Sequence, residues 1–488
     1  QKAFDWIDRD LLAYRLLECG VDGKFYEALM TLYKSPMACV QLNEHNTQWF
    51  PTPVGVKQGD VLSPTLFSLY VNDLAKVVKE SGIGVRIDDT ILSILLYADD
   101  IVLMAESEGQ LQEMLNIVTE WCSKWRLMIN QSKTQIMHFR KRGTKRSTYE
   151  FMFGEMKLEY TSSYRYLGLH LDEHMTFTPG TTILADAAGR ALGGILGKVK
   201  VLKDLGYEAY STLYSSCVCP ILDYAAGVWG FKKYDKSIVI QNRAIRCFLG
   251  VHRFAPTHAI NGDMGWTPCE VRWKGAMVAM WNRLVNMSDD RITKKVFRWD
   301  LRNNGPWSKD LYEIFFESEQ EHVFQNRLRG DTRLTKDVLF SQYEQKWAYE
   351  LWLKPKLRTY ALIKDSFSPE RYVTLPLTRA QRSLCAQLRA GILPLSIETG
   401  RFNAIPEDDR ICLLCNLHEI ENEVHFLFYC PFYDSLRQTL FNKMYNKRPD
   451  IIWERDETKL NWLFTEGVFE IASYIQKAWR ERKHYIYS

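Results

Sequence analysis

The chain has 488 residues, 46% of them hydrophobic and 25% charged, with a formal net charge of +4; this is the balance of a globular protein of several domains and excludes a disordered or fibrous chain. Eleven cysteines, an odd number scattered along the chain with no secretory segment, exclude a disulfide framework and point to a reducing, intracellular compartment. The longest apolar run is interrupted by Asp99 and Asp100, so no segment approaches the roughly 18 residues that cross a bilayer.

In chain order, Trp6 to Leu17 and Lys24 to Tyr33 read as two helices joined around Gly20 and Gly23. Met37 to Leu42 and Gln48 to Gly55 read as an antiparallel pair turning at residues 43–46. Ser63-Pro64 opens a helix running to about Lys79, since proline suits the first turn. Ile91-Leu92-Ser93-Ile94-Leu95-Leu96 and Ile101-Val102-Leu103-Met104-Ala105 flank Tyr97-Ala98-Asp99-Asp100, the pattern of strand, tight acidic turn, strand. A helix is expected from about Ser107 to Trp125, then a strand from Thr134 to Phe139 and another over residues 164–172. From about Ile183 the periodicity becomes helical to about Met287, and residues 300–488 are mostly helical with few strand signals. The sum is an α+β unit, an antiparallel sheet with helices on one face, followed by an α-helical region.

Burying an unpaired carboxylate is costly, so Asp99 and Asp100 must be solvated or neutralised by metal. An adjacent acid pair between two apolar strands is a candidate for two-metal phosphoryl transfer. A second constellation is Cys412-x2-Cys415-x9-His425-x4-Cys430. Two thiolates on a knuckle turn, completed by His425 and Cys430, give a closed tetrahedral zinc site with a structural role; His418 competes as a ligand, and four unrelated core residues are the alternative. The run His138 to Arg146 carries five cationic side chains in seven residues, either a solvated loop or a phosphate contact. Lys354, Lys356 and Arg358 near Trp347 and Trp352 are read as a solvated flank where Pro355 interrupts a helix, or as a nucleic-acid face. Cys217 and Cys219 read as helix core.

Three ordered clusters, Lys2-Ala3-Phe4-Asp5-Trp6-Ile7-Asp8, Gln58-Gly59-Asp60-Val61-Leu62-Ser63-Pro64 and Tyr97-Ala98-Asp99-Asp100, resemble the reverse transcriptases of non-LTR (LINE-type) retrotransposons. Further matches are Trp125-Arg126-Leu127, Asn130, Lys133-Thr134, Tyr166-Leu167-Gly168, Pro220-Ile221-Leu222-Asp223-Tyr224, Val228-Trp229, Gln241, Arg243 and Arg246, so the likeness covers residues 1 to about 280. It implies a right-hand polymerase palm over 1–178, a helical thumb over 179–300, a helical region over 301–404, a zinc-knuckle-like module over 405–440 and a helical tail over 441–488. By the same resemblance Asp99 is a ligand of two Mg2+ ions, Asp100 is its partner, and Tyr97 braces the primer end. Phe4 is the steric gate against a ribose hydroxyl, with a core Phe as the alternative. Gln58 and Gly59 approach the incoming nucleotide, and Tyr166, Leu167 and Gly168 form the primer grip. Lys133 protonates pyrophosphate or is an exposed strand-edge Lys. The implied partners are element RNA as template, target-site DNA as primer and deoxynucleoside triphosphates, with no membrane; the implied location is the nucleus and cytoplasm, in a ribonucleoprotein. The zinc cluster would grip template RNA or target DNA.

One departure stands out. The family's first catalytic Asp precedes the Lys of Lys-Ala-Phe-Asp by three residues, two positions before Gln1, and Asp5 does not substitute for it. The chain, which starts in helix-like sequence, is therefore expected to be part of a longer polypeptide and to polymerise poorly alone. The rival reading is a non-catalytic nucleic-acid-binding remnant of such an element; a group II intron maturase or telomerase relative fits the thumb and knuckle less well.

Overall fold

The computed structural model describes residues 3–487 and divides the chain into two compact units. The first comprises Gln1–Tyr166, Leu171–Thr176 and Ser288–Asn303; the second comprises Leu167–His170, Phe177–Met287 and Asn304–Ser488.

The first unit is organised by the helix Ser63–Glu80, which follows Leu62 and carries Pro64 in its first turn. Leu66, Phe67, Tyr70, Leu74 and Val78 recur every three or four residues and form its buried stripe. That stripe meets Leu12 and Leu16 of the helix Arg9–Glu18, Ile94 of the strand Ile94–Tyr97, and Met114, Val118 and Trp121 of the helix Glu108–Lys124. The Tyr70 hydroxyl donates to the carbonyl of Trp125 at 2.7 Å, so this buried polar group is satisfied. Each such side chain, buried from an exposed state, stabilises by roughly 1.5–3 kcal/mol.

The strands differ from expectation in their extent. Each hydrogen-bonded sheet among the described residues is two strands wide, so the α+β class holds but the antiparallel sheet is a set of separate ladders. One of them, Gln135–Ile136 with Glu159–Tyr160, is parallel. The expected strand Thr134 to Phe139 is cut to Gln135–Ile136, because Lys133 closes a 3-10 turn just before it. Residues 164–172 are not one strand. They break between Ser163–Tyr166 and Leu169–Asp172, where Leu167 (φ 47°) and Gly168 (φ 86°) are left-handed. The first helix begins at Arg9, not Trp6, because the Asp8 carboxylate caps it by accepting from the N–H groups of Asp10 and Leu11. The paired strands of residues 37–51 and the helices Gly23–Tyr33, Ser63–Glu80 and Glu108–Lys124 match expectation closely.

The second unit is helical. One large apolar core extends from Ala185 on the helix Thr178–Val201 to Ala478 on the helix Val468–Tyr487. Asp235–Leu249 packs on Thr178–Val201, Thr332–Trp352 on Cys269–Val285, and Arg379–Arg389 on Val468–Tyr487. No helix among the described residues is long and apolar enough to cross a membrane.

Candidate functional site

The acidic motif closes a hairpin in the first unit. Ile94–Tyr97 pairs antiparallel with Asp100–Leu103, with Tyr97 opposite Asp100, so Ala98 and Asp99 form a two-residue turn. Ala98 takes a left-handed conformation (φ 51°), as tight hairpin turns require. The root of the hairpin is fixed by Ser93, whose hydroxyl donates to the Ile83 carbonyl and whose own carbonyl accepts from Met104 N at 2.8 Å. The tip is in water: Tyr97, Ala98, Asp99 and Asp100 are all exposed. Neither carboxylate has a cationic side chain within ion-pair distance among the described residues. Two solvated, uncompensated carboxylates are oxygen donors of the kind a hard divalent cation takes, and in this respect the residues fit magnesium.

The strand Ser163–Tyr166 lies within electrostatic reach of this tip. Partial burial, and then the charge of Asp100, raise the phenolic pKa of both Tyr164 and Tyr166. The Tyr164 hydroxyl also donates to the Lys133 carbonyl at 3.0 Å. Asp100, Tyr164, Tyr166 and the backbone of Lys133 therefore share one neighbourhood, and the Lys133 side chain is exposed. Tyr164 was not singled out from sequence; its place two residues before Tyr166 on an alternating strand was the available signal.

Phe4 and the Gly55–Asp60 loop form a second group. The Phe4 ring stacks on Phe67 at 4.5 Å, and Phe4 O accepts from Val56 N at 2.9 Å. Gly55 N donates to Ile7 O at 2.8 Å, and a Cβ on Gly55 would lie 2.7 Å from Asp5 O, so only glycine lets these backbones approach. Gln58 and Gly59 are exposed, and Gly59 has φ 85°. The Asp60 carboxylate accepts from Leu62 N at 3.0 Å, turning the loop into the long helix. Phe4 and this loop thus share one support, the helix that also packs on the hairpin strand Ile94–Tyr97. Lys2 lies outside the described residues.

The basic run is largely neutralised at its ends. Arg140 and Arg146 both pair with Glu173, at 3.0 and 2.7 Å, leaving Lys141, Arg142 and Lys145 exposed. Lys356 pairs with Glu398 and Arg358 with Glu423, so the flank read as solvated holds two ion pairs to buried glutamates. Trp347 is buried and donates to His258 O, while Trp352 is exposed. Cys217 is exposed rather than core; Cys219 packs against the core.

In the second unit, one ligand atom each from Cys412, Cys415, His425 and Cys430 lies within 4.8 Å of all the others. Cys412 and Cys430 Sγ are 3.8 Å apart, and Cys415 Sγ is 3.5 Å from His425 Nε2. A tetrahedral zinc with ordinary Zn–S and Zn–N bonds has edges of about 3.8 Å between sulfurs and about 3.6 Å from sulfur to nitrogen. The arrangement is compatible with zinc on geometry as well as donor type. His418 is exposed in the intervening turn and is not in the group. His425 Nδ1 lies 3.0 Å from Glu419 Oε2, a carboxylate that fixes the ring with Nε2 toward the sulfurs. The thiol contact with Cys430, then burial, hold the Cys412 pKa up at about 12. Glu421, 1% exposed, accepts from Ser396 N at 2.7 Å, Ser396 Oγ at 2.8 Å and Arg482 Nη2 at 2.8 Å. The acidic alternation Glu419, Glu421, Glu423 between Cys415 and His425 was the sequence signal for this second layer.

Residues 1–171 match the family model described as reverse transcriptase (RNA-dependent DNA polymerase). The chain is similar to the probable RNA-directed DNA polymerase from transposon BS of Drosophila melanogaster, 27% identical over 256 residues, 50% of this chain and 28% of that protein. It is 24% identical over 273 residues to the RNA-directed DNA polymerase from mobile element jockey of the same species, covering 54% and 29%. The Pol polyprotein from type-1 retrotransposable element R1 of Nasonia vitripennis is 26% identical over 260 residues, 49% of this chain and 73% of that protein. The chain thus spans less than a third of the length of the first two relatives.

Proposed function

Residues 1–171 belong to the reverse transcriptase family of RNA-dependent DNA polymerases, and from that premise we propose that the chain supplies the polymerase chemistry of a non-LTR retrotransposon, adding deoxynucleotides to a DNA primer on an RNA template. The observation that carries this is the exposed pair Asp99 and Asp100 at the tip of a two-residue hairpin turn inside that domain. Magnesium bound there would activate the primer 3′-hydroxyl and stabilise the leaving pyrophosphate. Asp99 is proposed as a ligand and Asp100 as its partner. Tyr97, exposed beside them, would brace the primer end, and Tyr166, Leu167 and Gly168 would present backbone to the primer strand. Phe4 on its Phe67 platform would exclude the ribose 2′-hydroxyl, Gln58 and Gly59 would approach the nucleotide, and Lys133 would give a proton to pyrophosphate. Cys412, Cys415, His425 and Cys430 would hold a structural zinc, and the module around it would grip template RNA or target DNA.

The test is magnesium-dependent extension of a primed RNA template by a polypeptide that joins this chain to the remainder of a polymerase domain, and by the same polypeptide with Asp99→Ala. Loss of a carboxylate that supplies about 4 kcal/mol of transition-state stabilisation should cut extension on the order of a thousandfold, with template binding retained. Undiminished extension in the variant overturns the assignment. A joined polypeptide that binds the primed template and extends nothing speaks for binding without catalysis.

A further inference from the structure

The segment Pro220–Trp229 does more than fill the core of the second unit. Asp223 is held by three donors: Arg272 Nε at 2.8 Å, Arg272 Nη2 at 3.1 Å and Trp273 Nε1 at 2.8 Å. The next carbonyl, that of Tyr224, accepts from Nε1 of the fully buried Trp229 at 3.0 Å. Trp229 in turn is wedged edge-on against Tyr234 and Trp273. The backbone of Tyr224 is therefore fixed on both sides by buried groups.

Its side chain is not buried. Tyr224 is 45% exposed, and its hydroxyl donates to the carbonyl of Leu167 at 2.6 Å, across 57 residues of sequence. The ring also lies against Gly168: a Cβ there would be 2.9 Å from the Tyr224 hydroxyl oxygen and 3.1 Å from two ring carbons. Gly168, at φ 86°, is required twice over, once by its backbone conformation and once by this ring. A tyrosine that filled space would hide its ring, whereas this one spends its hydroxyl on a turn.

We infer that Tyr224 is a positioning residue for the Leu167-Gly168 turn, setting where that backbone meets the primer strand; this rests on the polymerase reading above. The turn follows the strand Ser163–Tyr166 directly in the chain. Asp223, Arg272 and Trp273 act through Tyr224 and touch no primer.

The test uses the whole chain and two probes of equal length: an RNA–DNA hybrid with a recessed DNA 3′ end, and a blunt hybrid. Tyr224→Phe removes the hydroxyl and keeps the ring, so the fold is retained. Losing one hydrogen bond corresponds to about a five- to tenfold loss, expected for the recessed hybrid alone, with blunt-hybrid affinity and melting temperature unchanged. Amide exchange in residues 164–172 should quicken in the same variant without nucleic acid. Equal effects on both hybrids, or none on either, overturn the role of Tyr224. A parent chain that does not distinguish the two hybrids overturns the polymerase reading instead, and this proposal with it.

Discussion

Arg389 carries a full charge in a place with no solvent. Its side chain is 0% exposed, and it donates to Asp263 through Nε at 3.1 Å and Nη2 at 3.0 Å, with Glu370 a further 3.2 Å partner. Burial alone would lower its pKa; the carboxylates of Asp263 and Glu370 reverse that, and the guanidinium stays charged. The rings of Tyr360, Tyr372 and Phe464 surround it at about the distance where cation–π attraction operates. Removing one partner from such a pair leaves an uncompensated buried charge, which costs roughly 3–5 kcal/mol. Asp263→Ala should destabilise the chain by that amount in denaturant titrations, and adding Arg389→Met should recover most of it. A single variant as stable as the parent would show that the pair contributes nothing. None of this was legible in the sequence, because 126 residues separate the partners and no local pattern marks them. The acidic hairpin was legible, since alternation of apolar residues and a two-residue turn are both local signals. Tyr164 and Tyr224 fell between these cases: each was in view on a recognised segment, but what its hydroxyl reaches is set by tertiary structure.

At the scale of elements, the four-ligand cluster is tied into the helical unit by its own loop. Glu421 links that loop to Ser396 at the start of the helix Ser396–Phe402 and to Arg482 on the helix Val468–Tyr487. Glu423 accepts from Arg358 at 2.9 Å and from Thr359 at 3.1 Å. The metal proposed for residues 412–430 would thus also preset two buried glutamates for three separate helical segments. Chelation is expected to speed amide exchange around Arg482 and Ser396 as well as in the loop, and Cys430→Ser should do the same while lowering bound zinc. Exchange changes confined to 411–430 would sever that link. The ligands were visible from spacing; the glutamates were visible only as an acidic alternation, because their partners lie up to 65 residues away.

At the scale of the molecule, deeply buried tyrosines give the two units different alkaline limits. In the second unit burial raises the phenols of Tyr210, Tyr214, Tyr234, Tyr360, Tyr372, Tyr433 and Tyr474, and that of Tyr343 up to about 12. In the first unit Tyr70 is pushed to about 12 by the same cause. These groups keep their protons when folded and lose them near pH 10 when unfolded, so the unfolded state binds fewer protons above that pH. The contribution of these tyrosines is constant below about pH 10 and then falls, by about 1.4 kcal/mol per pH unit for each tyrosine still protonated in the native state. The second unit should therefore unfold first in an alkaline titration followed by phenolate absorbance and helical circular dichroism. Simultaneous loss of both units, or none up to pH 12, would contradict this. Helical content was readable from periodicity across residues 183–488, but the core joining Ala185 to Ala478 was not, because it arises from contacts between distant helices.

The acid-bearing hairpin is a cantilever. Its root at Ser93 and Ile94 is clamped in the core, its tip at Tyr97 is 64% exposed, and its ladder is two strands wide. The arm from Ile94 to Tyr97 is about 10 Å long and rests on the core through Leu96 and Ile101, so a tilt of about 10° of this joint sweeps the carboxylates through about 2 Å. Displacements of about 1 Å can change a catalytic rate on the order of a hundredfold. The stiffness of the acid pair is thus borrowed from the apolar joint beneath it, and a one-methylene change at Ile94 is geared up at the tip.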